Sequence, residues 1–156
     1  MRDILLTLVL QALTIEPALS APDAPEFVLA GVGRFAVFAD RGSLERDGEA
    51  ATLRTLQVAA EGFEAGGRLY VGGWSNWRFD CAARTADRLD FASLAEDGAE
   101  GPATPENNPP RALTEDDAPL FEIACGAAGS EQVLHSVAEA IAMGRARLAE
   151  GARPSS

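Results

Sequence analysis

Thiols, an imidazole and carboxylates are the groups that could carry covalent or metal chemistry in this chain, and the first two are scarce. Among 156 residues there are two cysteines, Cys81 and Cys125, and one histidine, His135. A cysteine nucleophile needs a base, usually His. A structural zinc needs four ligands, usually Cys or His. Both are short of partners here. Two cysteines in an exported chain most often pair. The expectation is a Cys81–Cys125 disulfide, closing a loop of about 45 residues and contributing roughly 4 kcal/mol through chain entropy. A free nucleophile and a zinc ligand are the alternatives.

The carboxylates are numerous but weakly patterned. Glu131, His135 and Glu139 form a row at four-residue spacing, which on a helix could bind a divalent metal or raise the imidazole pKa. The plainer reading is a solvated face with weak i,i+4 contacts. The run Glu115 to Asp117 lacks calcium-loop spacing and reads as loop solvation. Asp40, Asp80, Asp87 and Asp90 could supply an acid pair for hydrolysis, but spacing alone brings no two of them together. No nucleophile elbow, zinc-protease helix or phosphate-binding glycine loop is present; "GVG" at 31–33 lacks the third glycine and a following helix. The expectation is therefore no catalytic residue, no metal site and no cofactor.

The elements that would position these groups begin with a leader. Arg2, the apolar run Ile4 to Leu13, Pro17 and the small residues Ala18 and Ser20 follow the order of a signal peptide over residues 1–20, cleaved after Ser20. The run is about ten residues, half of what a membrane-spanning helix needs. The mature chain keeps 12 arginines against 22 acids, and there is no lysine. So negative a surface repels phosphate backbones and anionic lipid, which argues against nucleic acid and against membrane insertion after cleavage.

Residues 21–32 read as a proline-rich lead-in and 33–150 as one domain. A strand at Phe35 to Phe38 is broken by "RGS" at 41–43. Asp47-Gly48 marks a two-residue hairpin turn, and Leu53 to Val58 returns. Gly66-Gly67 turns the chain into a long strand, Leu69 to Cys81, with a kink or bulge at Gly72-Gly73. Trp74 and Trp77 either pack on the sheet or stand exposed as partner contacts, since Trp is enriched among interface anchors. "RTADRLDFASL" is a further strand. Residues 95–119 read as a mobile surface crossing, and "LFEIACG" as a last strand ending in Cys125. Ser130 caps a C-terminal helix whose stripe is Val133, Val137, Ile141, Gly144 and Leu148, closed near Gly151. Residues 151–156 form a disordered tail.

The segments "FADRGSLERDG", "RFDCAAR" and "FEIACG" resemble the recurring patterns of surface-adhesin protein E-like domains of Gram-negative bacteria. The likeness covers roughly residues 33–126. It implies an antiparallel sheet of about six strands with a C-terminal helix, a disulfide and no catalytic activity. Within the Asp-Cys-x-x-Arg segment, Arg84 is expected to contact Asp80 or Asp40 and hold the turn against the sheet. The lipid-anchoring cysteine and every lysine are missing, so host adhesion is not carried over.

Together these readings predict an α+β fold: an antiparallel β-sheet of about six strands with a C-terminal α-helix packed on it, and one disulfide. The function expected is that of a periplasmic or secreted, non-catalytic binding domain of the cell envelope. Its partner would be another protein or a second copy in a homodimer, engaged through a strand edge near Gly72-Gly73. The alternative is a carboxylate- or metal-dependent hydrolase.

Overall fold

Hydrophobic alternation and two glycine turns lay down the sheet before anything else. The structure, a computed structural model, describes residues 24–126, 129 and 132–152. In chain order the elements are β1 (Phe27–Val32), β2 (Ala36–Asp47), β3 (Ala50–Ala65), β4 (Arg68–Asp80), β5 (Thr85–Arg88), β6 (Asp90–Ala95), β7 (Thr104–Pro105), β8 (Arg111–Ala112), α1 (Ala118–Cys125), β9 (Val133–Leu134) and α2 (Val137–Gly151). All pairings are antiparallel. The order is β7-β6-β4-β3-β2-β1-β9, with β5 also on β4 and β8 on β5.

Period-2 alternation sends side chains to two opposed faces. On one, Phe27, Ala36, Phe38, Leu56, Val58 and Trp74 are buried under α2, through Ala140, Gly144 and Leu148. On the other, Ala39, Ala51, Leu53, Trp77 and Phe79 are buried under α1, through Leu120, Phe121 and Ala124. The sheet is therefore sandwiched between two short helices. A Cβ on Gly144 would come to 3.1 Å from Ala36, Phe38 and Val58, so glycine is what lets α2 lie this close.

The α+β class, the antiparallel sheet, the C-terminal helix and the disulfide are all present. The strand count is nine rather than about six. Three of the extra strands, β7, β8 and β9, have only two residues each, too short to leave a periodic signal. The lead-in is also partly strand, since Phe27–Val32 pairs with β2. "RGS" does not end its strand; β2 continues through it across a register shift between Asp40 and Glu45. "RTADRLDFASL" runs along β4 as β5 and β6, parted at Leu89, whose N–H donates to the Asn76 carbonyl.

The larger correction concerns "LFEIACG". It is helix α1 and not a closing strand. Its apolar run is as compatible with a helix as with a strand, and Pro119 near the start, with acids just before it, decides for the helix. Residues 95–119 accordingly end in the first turn of α1. The C-terminal helix starts later than expected: Ser136 is the N-cap, and its hydroxyl accepts from Glu139 N. Val133 belongs to β9, paired with Val28. The leader 1–20, Ser130, Glu131 and the last tail residues lie outside the described residues.

Candidate functional site

Most of the residues singled out for chemistry are engaged in holding the fold; Asp87 on β5 is the exception, with its Oδ1 buried and without a hydrogen-bond partner. Cys81 and Cys125 are bonded, with Cα atoms 5.6 Å apart. The bond joins the end of β4 to the last residue of α1, so it staples a helix to the sheet. Arg46, reaching across from β2, donates from Nε to Ala124 O at 2.9 Å and from Nη2 to Gly126 O at 2.8 Å. It thereby satisfies carbonyls that the end of α1 leaves open.

Arg84 does not pair with Asp80 or Asp40. Its guanidinium lies 4.7 Å over the Phe121 ring, and among the described residues it enters no ion pair. Arg84 also has φ of 54°, a left-handed conformation uncommon for a residue other than glycine. Asp80 instead accepts from Ala83 N at 2.7 Å and closes the turn itself. Asp40, buried, accepts from Glu26 N at 3.0 Å and Gly42 N at 3.2 Å, pinning the chain ahead of β1 to the irregularity in β2. Asp90 accepts from the backbone and side chain of Asn76, both at 2.8 Å.

His135 sits just before α2, exposed, and its backbone N–H donates to Glu139 Oε2 at 2.9 Å. That bond and one from the Ser136 hydroxyl hold the Glu139 carboxyl below its ordinary pKa. Ser136 and Glu139 thus form a reciprocal cap, with the glutamate reaching one residue further back than usual. The supposed row is not one helix face, because His135 precedes the helix. Among the described residues no three ligating side chains cluster for a metal.

Trp74 and Trp77 are 4% and 8% exposed, so both are core residues in this fold and neither offers a partner a surface. Trp74 packs at 5.9 Å from Phe27 under the Arg54 guanidinium, and Trp77 stacks on Phe79 at 6.0 Å. Gly72 and Gly73 are likewise internal, because β4 lies between β3 and β6. A Cβ on Gly72 would come to 1.9 Å from the Gln57 carbonyl, and one on Gly73 to 2.3 Å from the Phe91 ring. These glycines permit close packing; they do not expose an edge.

The open edge is on the neighbouring strand. Pairing of β2 with β3 stops at Ala36 and Val58, yet β3 continues to Ala65. Beyond Val58 the register with β4 shifts and resumes at Phe63 and Tyr70. The chain then turns through Gly66 and Gly67, with φ of 59° and 75°, as a two-residue hairpin requires. Beyond Val58, Phe63–Ala65 pair with β4, residues 59–62 bulge out of that register, and among the described residues none of 59–65 pairs with a strand on the other side. Phe63 is 54% exposed and stacks on Tyr70 at 5.4 Å. Glu61, Glu64 and Leu69 are exposed beside it. Sequence reasoning missed this edge because the hairpin signal says where a strand turns and not where its other neighbour ends.

Two open grooves flank α1. One, of about 370 Å³, is lined by Leu44, Arg46, Glu122 and Ile123 among others. The second, of about 400 Å³, lies by Val32, Arg34, Glu115 and Asp116. Neither brings a nucleophile and a base together. No family model, no curated protein and no solved structure matches the chain.

Proposed function

We propose that this chain is an exported, non-catalytic binding domain of the bacterial cell envelope, working through the unpaired edge of β3. The observation that carries the reading is the projecting β3–β4 hairpin, with a free strand edge and an exposed aromatic pair. A bare edge of this kind is a template for a further strand, and proteins with no use for one usually blunt it. The side chains that could do chemistry support the same reading. Asp40, Asp80, Asp90, Asp117 and Glu139 accept hydrogen bonds that hold turns and helix starts. The bonded cysteines favour an oxidising compartment, hence the periplasm or the exterior. The resemblance to surface-adhesin E-like domains agrees with a binding role and rests on its short segments alone.

The test is photo-crosslinking in cells that make the full chain. A photo-reactive phenylalanine at position 63 should give higher-mass adducts on an oxidised chain that has lost its leader, while the same probe at position 150 should not. Absence of adducts at 63, with substrate turnover or tight metal binding by the purified chain, would overturn the reading.

A further inference from the structure

We infer that the occupant of the β3 edge is an extended basic peptide strand, added antiparallel, with a basic residue followed directly by an apolar one and a second basic residue shortly after. This rests on the binding reading above and specifies its partner. The pairings throughout the sheet are antiparallel, and that ladder is somewhat the more stable per residue. In a two-residue hairpin the residues flanking the turn, Ala65 and Arg68, form the hydrogen-bonded pair. Pair types alternate along the ladder, so the N–H and C=O of Glu64 face away from β4, towards the open side.

Side chains along the edge then choose the partner. Glu61 and Glu64 are exposed and enter none of the ion pairs among the described residues. Between them Phe63 and Tyr70 offer a stacked apolar platform. An incoming antiparallel strand sets one residue opposite Glu64 and one opposite Phe63, and then runs past Glu61 in the 59–62 bulge. A basic residue opposite Glu64 and an apolar one opposite Phe63 satisfy those two positions, because opposed charges and aromatic–aliphatic pairs are the favourable cross-strand contacts, and a second basic residue further along answers the charge of Glu61. A second copy fits worse. Self-pairing about Gly62 would gather four carboxylates in one short ladder between two chains each carrying a formal charge of -11.

The experiment titrates the oxidised, leader-free chain with a blocked peptide Thr-Lys-Val-Thr-Lys-Thr and with its Lys-to-Glu counterpart, following backbone amide shifts. The basic peptide should perturb residues 59–65, slow exchange of the Glu64 amide, and bind about tenfold tighter than the acidic one at low salt. The Glu61→Lys/Glu64→Lys chain should reverse that preference. Glu64→Pro removes only an outward N–H, which an edge strand tolerates, so it should abolish binding while melting near the wild-type temperature. Equal binding of both peptides, lost in Glu64→Pro, would overturn the basic partner but keep the edge. A dimer seen by light scattering and broken by Glu64→Pro would overturn it in favour of self-pairing. No shift with either peptide, in a monomer, would overturn it outright, and blank crosslinking at position 63 would then remove the binding reading too.

Discussion

Asp117 shows how a single carboxylate organises the start of α1. It is 4% exposed and accepts from Thr114 N at 2.8 Å, Thr114 Oγ1 at 2.6 Å and both terminal nitrogens of Arg111. Burial pushes its pKa up, but the bonds from Arg111 and Thr114 outweigh burial and hold it below the ordinary carboxylate value. A depressed folded-state pKa means stability that is present above the unfolded value and lost as pH falls through the folded one. Asp117→Asn should therefore cost about 2 kcal/mol at neutral pH by urea denaturation. The gap from wild type should narrow below about pH 4. Arg84 offers a second test at this scale. Arg84→Ala loses the stack on Phe121 and keeps the left-handed backbone, so it should cost about 1 kcal/mol. Arg84→Gly relieves that backbone and should cost less, an order that thermal melts can read.

At the scale of elements, α1 depends on its staple. It has only eight residues, below the length at which an isolated helix holds in water. The disulfide, the Arg46 cap and the burial of Phe121 against Phe79 at 6.1 Å keep it on the sheet. Reduction, or the double Cys81→Ser/Cys125→Ser variant, should lower stability by about 4 kcal/mol. Hydrogen exchange should show α1 opening before β3 and β4. Helix α2 depends on contact area instead. Gly144→Leu would drive a side chain into Ala36, Phe38 and Val58 and should cost about 2 kcal/mol, seen as a lower urea midpoint with an unchanged slope.

For the whole molecule the governing quantity is charge. The formal charge of -11 is borne by 13 arginines and 24 acids with no lysine. Several arginines are tied into fixed contacts at the surface: Arg46 to the end of α1, Arg54 over Trp74 and to Glu100, Arg84 over Phe121 and Arg88 to Glu106. The pairs leave the net charge unchanged, and compactness works against self-repulsion. Raising sodium chloride from about 10 mM to 0.5 M, which shortens the Debye length severalfold, should raise the melting temperature by a few degrees. A fall would mean that the ion pairs outweigh the net charge.

Much of this was legible in the residues. Alternation around Phe38, Leu56 and Trp77 wrote the central strands, Gly66-Gly67 wrote the hairpin, and the scarcity of thiols wrote the Cys81–Cys125 bond. These signals are local, or are matters of inventory, so no partner in space is needed to read them. The two-residue strands, the helical state of "LFEIACG", the diversion of Arg84 to Phe121 and the bare edge at 59–65 were decided only by the tertiary structure. Each turns on what lies across from a residue: another strand, a sheet face, an aromatic ring or open solvent. Linear order carries no record of that neighbour until the sheet has closed around it.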